Sequence, residues 1–215
     1  LTSKLFFSIW KENMRILEYG EREISYLSKK DKKLGKLIES TGPLGCRVSE
    51  DLFDSLVGYI ATQQISNRAA ETVSMRIAQK FGIVTPEKIA SLPEEEIKSV
   101  GISMKKAQYI KGLSEAVLSG RLDIKGLAGL PDEDVASQLT SIRGIGDWTA
   151  EMFLIFSLGR PDVVSYKDFA IRKGMMMLYG LKTLDRDTFE KYRKRYSPYG
   201  TIASLYLWHL SENGG

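Results

Sequence analysis

The 215 residues include one cysteine, Cys46, and one histidine, His209. Zinc sites built from several thiolates or imidazoles, four-cysteine clusters and disulfide frameworks are therefore excluded, and only hard-oxygen metal sites stay open. His209 sits in LYLWHLSE, near the end of an apolar helical stretch, where packing or a surface position accounts for it better than a triad. Chemistry, if the chain performs any, falls to carboxylates. Asp168, in VVSYKDFAIRKG, stands where a loop leads into a helix, and aspartate is a favoured helix cap there. A second pattern is a glycine turn, IRGIGDWTAEMF, in which Gly144 and Gly146 let the chain turn sharply into a helix. The free N–H groups at the start of such a helix form an anion site, although a lone GxG is more often a plain helix-to-helix turn.

The elements that must position these residues read as helices almost throughout, and strands are hard to find. From Asp51, the residues Leu52, Phe53, Leu56, Val57 and Ile60 mark one apolar face. Ala69, Ala70, Val73, Ile77 and Phe81 mark the next, stopped by Gly82. Thr85 before Pro86, and Ser91 with Pro93, place caps and first-turn prolines at two short helices. A longer helix follows Ser103, with Ala107, Ile110, Leu113 and Val117 buried and Gly120 as its stop. Pro131 opens a helix with Val135, Leu139 and Ile142 on one face, and Ala150, Phe153, Leu154 and Leu158 line the helix after the glycine turn. The segment SLPEEEIKSVGISMKKA echoes GLPDEDVASQLTSIRGIGDWTA, each reading as two antiparallel helices joined by a glycine turn.

The chain is long enough for one substantial domain or two that share a core. Its 43% hydrophobic and 27% charged residues are ordinary for a globular protein, and no apolar stretch approaches the roughly 18 residues a membrane span needs. The run Leu5 to Trp10 is too short for a secretory signal. A net charge of +4 permits a polyanionic partner without requiring one. The basic runs Lys29 to Lys33 and Lys191 to Arg195 are by default solvated faces.

Four separated motifs carry a resemblance to a known family: YIATQQISNRAAETV (59–73), GIGDWTAEMF (144–153), RPDVVSYKDFAIRKGMMMLYG (160–180) and YSPYGTIASLYLWHL (196–210). In order and spacing they resemble the helix-hairpin-helix superfamily of DNA glycosylases, and within it the 3-methyladenine DNA glycosylase II branch, from about Asp51 onward. The resemblance implies an all-α protein of two helical subdomains, with the active site in the cleft between them. Residues 50–156 would form the core containing the helix-hairpin-helix, and residues 1–49 and 157–215 would pack together as the second subdomain. Larger bacterial members carry an additional amino-terminal β domain, so the chain resembles a minimal form.

By this resemblance Asp168 falls on the family's essential aspartate. As the bond between sugar and base breaks, positive charge develops on the deoxyribose; a fixed carboxylate stabilises it and orients or deprotonates water. Relatives that also cleave the strand place a lysine directly after the hairpin, where its amine forms a Schiff base. Trp148 stands in that slot, so a monofunctional, water-using enzyme is implied; Lys167 and Lys173 lie nearby but not at the matched position. Trp148 and Trp208 match residues that line the base pocket, and Met152 takes a place that often carries an aromatic ring. An aromatic face suits an alkylated, cationic purine. Gln64, beside Gln63, matches the wedge that fills the gap left by a flipped base. Arg143, Gly144, Gly146, Arg172 and Lys173 would contact phosphate, and the carbonyls of Thr140, Ile142 and Ile145 would hold a monovalent cation (Na or K), with no other cofactor required. Gly200 replaces the usual arginine after the proline-aromatic pair.

The resemblance further implies double-stranded DNA containing damaged bases as the partner, no membrane association, a monomer, and a location with the DNA, in a prokaryotic cytoplasm or a nucleus. Three other readings stay open, one of them a helical interaction protein whose basic runs bind acidic partners. The same scaffold serves glycosylases for oxidised or deaminated bases, although the single cysteine excludes the iron-sulfur branch. A non-catalytic DNA-binding protein would use the hairpin and keep Asp168 only as a cap.

Overall fold

The computed structural model describes residues 14–214, so the run Leu5 to Trp10 lies outside the described residues. In chain order it contains β1 (Met14–Ile16), α1 (Glu21–Lys30), α2 (Lys32–Thr41), β2 (Arg47–Ser49), α3 (Leu52–Thr62), α4 (Asn67–Phe81), α5 (Pro86–Ser91), α6 (Glu94–Lys98) and α7 (Met104–Leu118). A 3-10 turn (Gly126–Gly129) then leads to α8 (Asp132–Thr140), α9 (Asp147–Phe156), α10 (Phe169–Tyr179), α11 (Arg186–Tyr196) and α12 (Gly200–Asn213). The fold is all-α. The one ribbon among the described residues pairs β1 with β2 antiparallel, Arg15 opposite Val48, and is too short to leave an alternating pattern in sequence.

Side-chain caps explain most helix starts. Ser66, Thr85 and Ser103 each accept an N–H from the third residue of the helix that follows. Ser91 does not act as a cap: it is the last residue of α5, and Pro93 itself, which has no side-chain oxygen, is the residue preceding α6. Acidic residues Glu94, Glu95 and Glu96 in the first turn of α6 offset that lack by meeting the positive end of its dipole.

Packing partners run in two sets. α3 lies against α4, α7 and α9, while α5 and α6 pack on α7, and α8 on α9. α1 lies against α2 and α11, and α10 and α12 pack on each other and on α2. A buried cluster ties the second set together: Asp31, 4% exposed, caps α2 and accepts from Tyr179 Oη at 2.7 Å and Arg195 Nη1 at 3.1 Å. The Arg195 charge and these donors hold its carboxyl below the usual range despite desolvation.

The contact between α10 and α12 fixes the position of Asp168. At Gly174, in the middle of α10, a Cβ would stand 2.1 Å from the Leu207 carbonyl oxygen of α12. Only a residue without a side chain lets the two helices approach this closely. Asp168 caps the start of α10 and Trp208 lies on α12, so the spacing set by Gly174 is the spacing between them. Gly174→Ala is expected to lower stability by about 1–3 kcal/mol through forced separation, measured as a fall in the urea midpoint with an unchanged slope.

Candidate active site

The carboxylate of Asp168 is 4% exposed and takes three N–H donors. Oδ1 accepts from Ile171 N at 2.9 Å and from Trp208 Nε1 at 3.1 Å. Oδ2 accepts from Trp148 Nε1 at 2.8 Å. Cap and charged site are thus one group. A carboxylate offers about four acceptor positions, so Oδ2 keeps one for a water or for a sugar carrying positive charge.

The loop that carries Asp168 is fixed at many points before it reaches α10. Thr201 Oγ1 donates to Arg160 O and accepts from Val163 N, and Ser204 Oγ donates to Val163 O at 2.9 Å. The Arg160 guanidinium bonds Ala128 O and Leu130 O and pairs with Asp132 at 3.2 Å, joining this loop to the approach of α8. Gly200 N donates to Asp162 Oδ1 at 3.0 Å, and Ser197 Oγ donates to Asp162 Oδ2. A brace at Gly200 is therefore supplied by Asp162 rather than by an arginine.

Opposite this loop is the glycine hairpin. Gly144 has φ +98°, and a Cβ there would stand 2.3 Å from the Tyr109 ring. It can only be glycine in this turn. Gly146 differs from expectation: its φ is −105°, an extended value open to other residues. No side chain caps α9 behind it, so the first N–H groups of that helix stay available to an anion. Asp147 adds a carboxylate to the same turn, and Arg143, exposed and 5.9 Å over the Tyr109 ring, offsets it.

A cleft of about 410 Å³ opens between hairpin and loop, lined by Gln63, Gln64, Gly144, Gly146, Trp148, Thr149 and Lys167. Trp148 presents its ring to this cleft while its N–H holds Asp168. Gln64 is exposed at the tip between α3 and α4 with φ +54°, in the left-handed region unfavourable to a residue with a side chain. That loop is held from below by Lys106, whose ammonium donates to Ala61 O at 2.9 Å and Gln63 O at 2.6 Å, at the negative end of α3. Desolvation draws the Lys106 pKa below its ordinary value.

Other expected site residues sit elsewhere. Trp208 does not line the cleft: it is 2% exposed, stacked on Phe156 at 5.5 Å, and supports Asp168 from behind. Met152 has no exposed surface and belongs to the core, because α9 turns that face inward. Gln63 is not a wedge: its Nε2 donates to Gly144 O at 3.0 Å and Thr149 Oγ1 at 2.9 Å, tying the α3–α4 loop to the hairpin. Lys173 is half-buried and donates to Ser211 O at 2.8 Å, bracing α10 against the end of α12. Arg172 lies 5.4 Å over the Tyr166 ring, which Arg186 also meets, at 4.9 Å. Thr140 ends α8, and Ile142 O accepts from Ile145 N at 3.0 Å, so the hairpin itself uses one of the expected cation ligands. Sequence reasoning missed Lys106 and left Lys167 without a role; it also missed Phe169, 69% exposed beside Asp168. An apolar aromatic in the first turn of a helix, next to a buried acid, is the signal for the last. Among the described residues no group of three or more His, Cys, Asp or Glu side chains could hold a metal, and no helix is long and apolar enough to cross a membrane.

Comparison with known proteins matches residues 57–198 to the family described as HhH-GPD superfamily base excision DNA repair protein. DNA-3-methyladenine glycosylase 1 of Schizosaccharomyces pombe is 32% identical over 207 residues, covering 94% of this chain and 91% of the relative. The crystal structure of a DNA-3-methyladenine glycosidase from Bacillus halodurans superposes with a TM-score of 0.81 at 36% identity, covering 93% of this chain and 94% of that one. A Schizosaccharomyces pombe 3-methyladenine DNA glycosylase in complex with abasic DNA superposes with a TM-score of 0.80 at 30% identity, covering 89% of this chain and 97% of the other. With a matching family model over most of its length and relatives of this similarity, the chain belongs to the HhH-GPD superfamily of base excision DNA repair proteins.

Proposed function

We propose that the protein is a DNA glycosylase that flips an alkylated purine out of duplex DNA and hydrolyses its N-glycosidic bond, leaving an abasic site and working as a monomer. The observation that carries this reading is the Asp168 carboxylate, fixed by two indole N–H groups and one backbone N–H beside a cleft faced by Trp148. The names of the relatives, DNA-3-methyladenine glycosylases, and the abasic DNA bound by one of them support it.

Each part has a physical task. Phosphate binds at the uncapped start of α9 near Arg143, which sets the register of the duplex. Flipping costs a few kcal/mol, and Gln64, held proud of the surface by its loop, fills the vacated stack and can bond the orphaned base. The purine enters the cleft against Trp148. N-alkylation leaves that ring cationic, so stacking gains a cation-π contribution of roughly 0.5–2 kcal/mol. As the bond to C1′ breaks, the cationic purine leaves as a neutral base with the bonding electrons, the charge on the sugar meets Asp168, and a water held at Oδ2 adds its oxygen to C1′ while passing a proton to that carboxylate. The expected cation ligands fit a monovalent ion in kind: Thr140 and Ile145 offer neutral carbonyl oxygens near the negative end of α8, and the Ile142 carbonyl, which accepts from Ile145 N, keeps a second lone pair. Such an ion would add a positive charge beside the bound phosphate.

Asp168→Asn is expected to reduce base release at least about 100-fold while duplex affinity stays within a few-fold, measured by single-turnover release from DNA containing 3-methyladenine or 7-methylguanine. A panel with oxidised and deaminated bases, and no release from any substrate by folded, DNA-binding protein, would overturn the enzyme reading. Borohydride is expected to trap no adduct; one formed on Lys167, the amine at the cleft, would replace the water mechanism with a lyase. Trp208→Phe keeps the ring but removes one N–H donor to a charged acceptor, worth about 1.5–3 kcal/mol, so release should slow by about 10- to 100-fold with little change in DNA affinity.

A further inference from the structure

Glu151 does not line the cleft, yet it is bonded to the turn that carries Asp168. Ser165, three residues before Asp168, has no exposed surface. Its hydroxyl accepts the Asp168 N–H at 3.1 Å and donates to Glu151 Oε2 at 2.5 Å. A backbone N–H can only donate, so the single proton of the Ser165 hydroxyl is left for the Glu151 carboxylate, which accepts it. Glu151 lies three residues after Trp148 on α9, on the same side of the helix. One helix therefore holds the 165–168 turn at two points: Trp148 grips the carboxylate, and Glu151 grips the main chain through Ser165.

We propose that Glu151 is a positioning residue for base release: through Ser165 it fixes the main chain at Asp168, and so the direction in which the carboxylate meets the sugar. The proposal rests on the reading of Asp168 as the catalytic group. The arrangement is costly, which argues that the geometry it imposes matters. Burial pushes the Glu151 carboxyl above its ordinary range; the Ser165 bond and Arg186 oppose this, while the negative charges of Asp147 and Asp168 add to it. An apolar pair of similar volume would fill the space without that desolvation, but could not orient the Asp168 N–H.

The test compares Glu151→Gln, Glu151→Ala, Ser165→Ala and the double alanine variant, each checked for folding by thermal melting. Base release is measured at saturating enzyme, alongside affinity for a duplex with a non-cleavable abasic analogue. Glu151→Ala and Ser165→Ala should each slow release by about 10- to 100-fold, since small displacements of a reacting group carry costs of that size, with affinity unchanged within about two-fold. Glu151→Gln keeps an acceptor oxygen and should recover most of the rate. The double variant should be no slower than either single variant, because the two residues act as a unit. Wild-type release by Glu151→Ala, equal losses of rate and affinity, or multiplied effects in the double variant would overturn the proposal. If Glu151→Ala does not fold, Ser165→Ala and Glu151→Gln decide it by the same criteria. Full activity in Asp168→Asn would instead overturn the underlying reading of the site.

Discussion

A carboxylate removed from water is costly unless donors replace the lost hydration, and most of this structure can be understood as the supply of those donors to Asp168. One comes from the first turn of the helix that Asp168 itself caps, and two come from other elements, α9 and α12. The α12 indole reaches the carboxylate at the α10–α12 separation that the approach at Gly174 sets. The result is a charge preorganised before any substrate arrives. Electrostatic stabilisation of a developing cation is greatest when the stabilising group need not reorganise during the reaction.

Under the proposed function one short helix joins recognition to chemistry. The amino terminus of α9 offers N–H groups to phosphate, and the next turn carries Trp148, which touches Asp168 and faces the cleft. Gln63 ties the α3–α4 loop to the same hairpin, and Lys106 neutralises the carbonyls beneath that loop. The hairpin, the α3–α4 loop with Gln64 and the Asp168 carboxylate are thus linked by direct bonds, which under the proposed function would hold the DNA contacts and the reacting group in a fixed relation.

Much of this was legible in the sequence, but unevenly. Helical periodicity places α4, α7 and α8, which bury a limited face each, and apolar spacing with flanking caps also locates α3 and α9, which are buried on most sides; the glycine turn identifies the hairpin because Gly144 meets a constraint that no other residue satisfies. Asp168 was visible as a cap, and only the matched motifs around it pointed to chemistry. What sequence could not supply was side-chain direction. Trp208 and Met152 were assigned to the pocket by position, yet their helices turn them into the core, and the burial of α12 on nearly all sides leaves no polar face from which to judge orientation. In sequence Gln63 reads as a partner of Gln64, whereas its side chain bonds the hairpin, 81 residues along the chain. The ribbon escaped because three residues per strand carry no period.

The donors to Asp168 also lie in a particular order along the chain, at residues 148, 171 and 208. During synthesis the hairpin and its cleft wall emerge well before α12, which alone brings the last indole. The indole from α12 therefore joins Asp168 only when the segment after residue 200 has docked on α10, so the complete set of donors is a property of the finished fold rather than of any one segment.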